Sequence, residues 1–185
     1  MLKDREGFSP VIVLTLVCLI TGLLLAMTYG VTKDTIAANI LREQEIAMKA
    51  LLPEADNFVA AIKPEVKGVT NLFEAKKGTE TIGYVVMSDG KGYGGKVPVI
   101  VAFNLDQTLA GVIVTGTQET PGFGKQVEAA DYQAQFKDMP ADKEFTFGKD
   151  LDKTHFDQIS GATITSKALR NALNNALKVF QALPR

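Results

Sequence analysis

The segment from 157 to 173 of this 185-residue chain places four hydroxyl side chains around the expected start of an amphipathic helix. The start of a helix carries free N–H groups and about half a unit of positive charge, so a phosphate can be held there without a basic side chain. A hydroxyl beside that phosphate could also be joined to it as an ester. The hydroxyls belong to Ser160, Thr163, Thr165 and Ser166.

An ordinary helix cap is the alternative interpretation of this segment. The closing helix is expected from about Ser166, and the hydroxyl of Thr165 or Ser166 could accept one of its free N–H groups. A cap explains one residue and does not require Gly161 and Ala162 just upstream, which permit a close approach to the helix start. The segment therefore favours a phosphate site, with capping left open.

Two glycine-rich segments precede it in the chain. The first, "GKGYGG" at 90–95, has the spacing G-x-G-x-x-G, but "KVPVIVAFN" follows, which predicts a strand where a dinucleotide fold needs a helix. A plain loop and a loop that lets a planar ligand approach the backbone are equally compatible with it. The second, "QETPGFG" at 118–124, is typical of a turn and also contains an acid.

Composition excludes several classes of protein. The net charge of −1 shows no excess of basic residues that would favour nucleic-acid binding. Cys18 is the only cysteine and His155 the only histidine, so the chain cannot form an internal disulfide and a Cys/His zinc site is not expected.

The N-terminal region predicts a membrane anchor. After a short tail over 1–10, residues 11–31 carry no charge, and this length suits a helix that spans hydrocarbon. A cleaved signal peptide is the alternative, but the apolar run is longer than such peptides use and no clear cleavage site follows. Basic residues flank the span on both sides, so charge does not determine the orientation.

The remainder predicts a helical stalk over 32–56 and one domain over 57–185. Strands are expected at 69–75, 81–87, 96–104 and 109–115, with a further candidate strand at 144–150 and a short helix over 125–136. The strand at 96–104 is apolar on both faces, which predicts an interior position in the sheet. The closing helix has a one-sided apolar stripe of Leu169, Leu173, Leu177 and Phe180. The expected fold class is α+β, a single mixed sheet-and-helix domain on a membrane helix and stalk.

Three motifs in this order resemble those of the FMN-binding domain family. Residues 157–163 match the pattern D-x-x-[ST]-G-A-T, and "GYGG" at 92–95 and "ETPGFG" at 119–124 match two others, with Phe123 where leucine is common. In that family a threonine is esterified to the FMN phosphate, and the resemblance implies this role for Thr163, with Thr165 as the fallback acceptor. It implies further cofactor-binding residues at Asp157, Ser160, Gly161, Ala162, Tyr93, Gly94, Glu119, Thr120, Gly122 and Phe123.

Within the family, the resemblance extends to the G subunits of the Rnf ion-translocating ferredoxin:NAD⁺ oxidoreductases, which are related to the C subunits of Na⁺-translocating NADH:quinone reductases. It implies a redox subunit rather than a stand-alone enzyme, with covalent FMN and a domain on the outer face of the bacterial inner membrane. The implied partners are the other membrane and redox subunits, membrane lipid, and a flavin transferase that reads Asp157 and uses FAD as donor. A cofactor-free anchored binding or assembly module is the alternative function.

Overall fold

The computed structural model describes residues 5–62, 65–148 and 154–183, with side chains from residue 10 onward. The chain forms two compact units, Met1–Glu43 and Gln44–Arg185. Helix α1, Arg5–Leu51, makes up the described part of the first unit, and its last two turns belong to the second. From Pro10 onward α1 is long and apolar enough to cross a membrane, and the predicted span over 11–31 lies inside it. In the predicted tail, residues 1–4 lie outside the described residues, and helix begins at Arg5.

The second unit is built on a five-stranded sheet in which each strand pairs antiparallel with the next one along the chain. The strands are β1 Asn57–Ala60, β2 Val69–Lys77, β3 Glu80–Lys91, β4 Lys96–Asn104 and β5 Leu109–Val114. The four predicted strands are confirmed, and β4 is interior as its two apolar faces require. The strand β1 was not predicted because it has only four residues and is mostly exposed.

Helix α3, Thr163–Gln181, covers one face of this sheet. Leu169, Leu173 and Leu177 are fully buried against it, which confirms the predicted stripe. Burying one such side chain contributes about 1.5–3 kcal/mol, so this face supplies much of the stability that fixes the helix.

The opposite face of the sheet has its own core cluster. Ala47 and Met48 from the end of α1, with Leu52, pack against Val85 and Ile100. Side chains alternate between the two faces of a strand, so β4, which is apolar on both faces, contributes residues to both core clusters.

The chain between β5 and α3 is less regular than predicted. The single helix expected over 125–136 is wrong: a 3₁₀ turn, Gly124–Glu128, and a short helix α2, Ala130–Ala134, are separated by Ala129 in extended conformation. The strand candidate at 144–150 is shorter in the structure, where β6, Thr146–Phe147, pairs with the equally short β7, His155–Phe156. Residues 149–150 lie outside the described residues.

Candidate functional site

A cleft of about 390 Å³ lies at the N-terminal end of α3. Three segments form it: the loop between β3 and β4, the segment that follows β5, and the first turn of α3. They correspond to the three motifs singled out in the sequence. The lining residues are Tyr93, Glu119, Thr120, Phe123, Gly124, Gly161, Ala162, Thr163, Ile164 and Thr165.

The start of α3 has no side-chain cap. Ala162 occupies the N-cap position and makes no side-chain hydrogen bond to the helix. The first N–H groups of a helix have no partner within it, so here they are free to bind an anion in the cleft. Gly161 directly before the cap has φ +75°, the left-handed conformation that glycine adopts without strain.

The helix begins three residues earlier than the sequence indicated, and the capping interpretation is wrong. Thr165 and Ser166 lie inside the first turn, where both side chains are buried. The Ser166 hydroxyl donates to the Ala162 carbonyl at 3.0 Å and accepts the Ile159 N–H at 3.1 Å. It therefore ties the approaching loop to the helix instead of capping it.

The two candidate acceptor threonines have different surroundings. Thr163 is exposed, and its Oγ1 accepts a hydrogen bond from Gln158 Nε2 at 3.0 Å. Thr165 is only 2% exposed, and its hydroxyl donates to Glu119 Oε2 at 2.5 Å. The hydroxyl of Thr163 is accessible from solvent, whereas that of Thr165 is already engaged inside the protein.

Glu119 joins the three motifs through hydrogen bonds. It is the one buried charged residue among those the structure describes. Besides the bond from Thr165, its Oε1 accepts the Gly94 N–H at 2.9 Å. A Cβ at Gly94 would lie 2.1 Å from the Gln118 carbonyl oxygen, and one at Gly124 would lie 2.6 Å from both Glu119 Oε2 and Thr165 Oγ1. Glycine is required at Gly94 because the Gln118 backbone lies so close, and at Gly124 because the Glu119 and Thr165 side chains do.

Two aromatic side chains stand at the mouth of the cleft. Tyr93 is 77% exposed and Phe123 is 57% exposed, which is unusual for large rings that have a core available. A Cβ placed on Gly161 would lie 3.3 Å from Phe123 Cδ1, so the ring rests against the turn that precedes α3. Both rings offer flat apolar faces to a planar ligand.

Four of the residues named from the sequence do not line the cleft: Asp157, Ser160, Gly94 and Gly122. Gly94 acts through its bond to Glu119, as above. Gly122 has φ +77° and follows a proline in a turn closed by the Phe123 N–H and the Thr120 carbonyl, at 3.2 Å. Ser160 is exposed in the turn before α3.

The backbone of Asp157 is held on both sides while its side chain stays exposed. The Tyr132 hydroxyl donates to the Asp157 carbonyl at 2.8 Å, and the Asp157 N–H donates to Gln135 Oε1 at 2.7 Å. Burial, and secondarily the nearby Asp157 carboxylate, raises the pKa of Tyr132 well above its ordinary value. The tyrosine hydroxyl therefore keeps its proton to a higher pH than an ordinary tyrosine does.

Sequence reasoning missed two residues that line the cleft, Gly124 and Ile164. The second glycine of "PGFG" was a usable signal for Gly124, because it directly follows the aromatic residue. Ile164 is 51% exposed although it is apolar and helical, and no sequence signal distinguishes it from a core residue.

The residues of this cleft fit a group that has a phosphate at one end and a flat ring at the other. The uncapped helix start supplies N–H donors, and Thr163 supplies a hydroxyl beside them. The glycines keep space that a Cβ would occupy, and Tyr93 and Phe123 supply ring faces. Phosphate binding at a helix start and ring contact with aromatics are both general modes of recognition.

Comparison with known proteins agrees with this geometry. Residues 92–178 match the family model of the FMN-binding domain, and residues 8–51 match that of the RnfG N-terminal region. The chain is 34% identical over 182 residues to the G subunit of the proton-translocating ferredoxin:NAD⁺ oxidoreductase complex of Clostridium ljungdahlii, covering 96% of this chain and 95% of that one. This chain belongs to the family of G subunits of ion-translocating oxidoreductase complexes.

A second relative is the G subunit of the ion-translocating oxidoreductase complex of Methanosarcina acetivorans, which is 30% identical to this chain over 189 residues. The match covers 98% of each of the two chains. Among solved structures, NqrC of Shewanella oneidensis is similar in fold, with a TM-score of 0.51, 24% identity, and 70% of each chain covered. The predicted family and fold class are thereby confirmed.

Proposed function

We propose that this chain is a membrane-anchored flavoprotein electron carrier with FMN joined through its phosphate to Thr163. It works as the G subunit of an ion-translocating ferredoxin:NAD⁺ oxidoreductase complex. The observation that carries the proposal is the exposed Thr163 hydroxyl at the uncapped start of α3, inside a cleft of a domain that matches the FMN-binding family. The names of the relatives support the assignment to such a complex.

The phosphate lies at the start of α3 in this proposal. Free N–H groups and the positive end of the helix stabilise its charge, so no lysine or arginine is needed. None of the described residues that line the cleft is basic, in agreement with this mode of binding.

Accessibility favours Thr163 over Thr165 as the attachment point. A transferase must reach the acceptor oxygen, and Thr163 is exposed while Thr165 is buried and donates to Glu119. Modifying Thr165 would break that hydrogen bond and leave a buried carboxylate oxygen unpaired, which is costly.

The attachment step transfers the FMN group of FAD to the Thr163 hydroxyl, and its atoms balance. Thr163 Oγ1 forms a bond to the FMN phosphorus of FAD, the pyrophosphate bond breaks, and AMP leaves while the hydroxyl proton is released. The hydrogen bond from Gln158 Nε2 occupies one lone pair of the same oxygen and holds its orientation. The exposed Asp157 carboxylate, on a backbone fixed by Tyr132 and Gln135, is available for the transferase to read.

The residues of the cleft orient and shield the cofactor. When bound, FMN supplies one- and two-electron redox chemistry, and attachment through phosphate leaves its ring unmodified. Tyr93 and Phe123 flank the ring, and Glu119 holds the loop at Gly94 and the first turn of α3 in register. Thr120, Gly122 and Gly124 shape the turn on which Phe123 is carried.

Helix α1 anchors the carrier in the inner membrane, with the C-terminal domain on the outer face. The apolar helix supports the anchor, and the side of the membrane is part of the proposal. Partners are the other membrane and redox subunits, the surrounding lipid, and the flavin transferase during maturation. A covalent tether suits this location because dissociated FMN would be lost from the cell.

The proposal is tested by making Thr163→Val and Thr163→Ser in the full chain, coexpressed with a flavin transferase. We expect the purified wild type to carry the added mass of one FMN less one water and to fluoresce on a denaturing gel. Thr163→Val should insert into the membrane and fold but give a band without flavin fluorescence. Thr163→Ser keeps a hydroxyl, so it should carry part of the wild-type amount of covalent flavin.

Peptide mapping locates the attachment. A wild-type chain whose 157–173 segment keeps its unmodified mass after exposure to transferase and FAD contradicts the covalent proposal. Covalent flavin on Thr163→Val, mapped to Thr165, would transfer the assignment to the fallback acceptor.

A further inference from the structure

A second and larger cleft, of about 650 Å³, lies beside α3 between Arg170 and Lys178. It is formed by one face of α3, the end of β3, the turn before β2 and the segment before β6. Its lining is mostly polar and charged: Lys67, Gly68, Asp89, Gly90, Lys91, Glu144, Phe145, Thr146, Arg170, Asn171, Asn174, Asn175 and Lys178. We name it the cationic cleft.

The carboxylates of this cleft are already neutralised by lysines. Asp89 pairs with Lys96 at 2.7 Å, and Glu144 pairs with Lys178 at 3.6 Å. The other three basic residues that line the cleft, Lys67, Lys91 and Arg170, have no carboxylate partner within the described ranges. Among the described residues, three positive charges without a carboxylate partner thus line one cleft, in a chain whose net charge is −1.

One of these cations is held in place. The Arg170 guanidinium lies 5.0 Å from the centre of the Phe147 ring, a cation–π contact that fixes its position without neutralising it. Asn174 donates to the Phe145 carbonyl and accepts the Phe145 N–H, at 3.0 and 2.8 Å, which anchors the segment before β6 to α3. These contacts fix α3 and the segment around β6 to each other at one side of the cleft.

The cationic cleft lies close to the proposed FMN site. Arg170 follows Thr163 by seven residues, which is about two helical turns, or about 10 Å along the axis, on nearly the same face of α3. Lys91 ends β3 directly before the loop that carries Tyr93. Arg170 and Lys91 therefore form the part of the cationic cleft that is nearest to the start of α3 and to the loop that carries Tyr93.

We infer that the cationic cleft docks an acidic surface of a redox partner subunit, which exchanges electrons with the FMN; this inference rests on the proposed function. Small-molecule sites are mostly apolar, whereas charged and polar side chains line much of this cleft. Electron-transfer encounters have small interfaces, in which complementary charge sets orientation and rate. Charge complementarity thus favours an acidic protein face.

Zero-length cross-linking of the purified intact complex tests the docking directly. A water-soluble carbodiimide joins a lysine amine to a carboxylate that touches it. We expect mass spectrometry to find Lys67 or Lys91 joined to an aspartate or glutamate of another subunit. High salt during the reaction should suppress these cross-links, because it screens the attraction.

A charge-reversal pair supplies the kinetic test in the same complex. In Lys67→Glu/Lys91→Glu we expect the rate of FMN reduction to fall about tenfold at low salt and to lose most of its salt dependence. Lys76→Glu/Lys77→Glu, on β2, makes the same change in net charge away from the cleft and should leave the rate near the wild-type value. Both complexes should carry FMN on Thr163, as measured by peptide mass.

Several outcomes would overturn the inference. Absence of cross-links from Lys67 and Lys91 while other lysines react, or equal rates for the two double variants, excludes an acidic partner on this cleft. A salt effect seen only in nanodiscs of anionic lipid would assign the cleft to lipid headgroups instead. Detection of the cross-links by mass spectrometry does not depend on the flavin. A Thr163 peptide without FMN would therefore contradict the proposed function, while the docking result could still be interpreted.

Discussion

Thr163 and Thr165 are two positions apart in the sequence, yet the fold gives them opposite environments. About 200° of helical rotation separates them, so one faces solvent in the cleft and the other faces the interior. The buried hydroxyl is used by Glu119, which in turn holds the Gly94 loop. At this scale, accessibility rather than residue type distinguishes a candidate acceptor from a structural residue.

Tyr132 provides a test of how the loop before α3 is held. The raised pKa of its buried hydroxyl means that above about pH 10 the unfolded chain loses this proton while the folded chain retains it. The free energy of unfolding should therefore fall as pH rises above about 10. In Tyr132→Phe we expect this alkaline decline to be shallower, measured by urea unfolding of a fragment spanning 44–185 at about pH 8 to 11. Identical pH slopes in the two proteins would show that the hydroxyl is not buried as described.

At the scale of elements, the site depends on how closely α3 lies against the end of β3. A Cβ at Gly90 would lie 2.1 Å from the Ala168 carbonyl oxygen, so strand and helix backbones are nearly in contact there. Ser88 in the same strand donates to the Ala172 carbonyl at 2.9 Å. These contacts set the position of the helix start relative to the loop that carries Tyr93.

Gly90→Ala should force β3 and α3 apart. We expect it to lower the free energy of unfolding by about 1–3 kcal/mol, because the obstructing atoms belong to backbone that cannot rotate away. Gly95→Ala is the matched control, since the nearest atom there is the end of the flexible Gln118 side chain at 3.2 Å. Equal unfolding midpoints for the two variants in urea would contradict this packing.

For the whole molecule, the compact units do not divide at the predicted start of the domain, residue 57. The second unit begins at Gln44, so the last turns of α1 belong to the domain. Ala47, Met48 and Leu52 cover the face of the sheet opposite α3. Without them, buried residues such as Val85 and Ile100 would be exposed to water.

Two truncations distinguish these boundaries. We expect a fragment of residues 44–185 to be soluble and to unfold cooperatively on heating. A fragment of residues 57–185 should be several kcal/mol less stable or aggregate, because it loses three side chains that bury apolar area on the sheet. Equal melting temperatures for the two fragments would show that the end of α1 adds nothing to the domain.

The sequence predicted the regular elements and the motifs but erred where local signals are weak. Residues 125–136 have helical composition, yet the chain is extended at Ala129, next to Glu128, whose Oε1 accepts the Thr117 N–H at 2.7 Å. The sequence predicts too late a start for α3, because the hydroxyl of Ser166 is as suitable for a cap as for the interior bond that it makes.

By itself, the sequence determined the membrane-length helix, the antiparallel strands, the one-sided closing helix and three motifs that point to FMN. The helices and strands follow from periodicity and composition, which act over neighbouring residues, and the motifs point to FMN through their resemblance to the FMN-binding domain family. Only the tertiary structure decided that the three motifs meet in one cleft around Glu119, and that Thr163 is exposed while Thr165 is buried. It also decided that three cations without a carboxylate partner in the described part of the chain line one cleft. Such facts depend on contacts between residues far apart in the chain, and those contacts are fixed by how the sheet and helix pack.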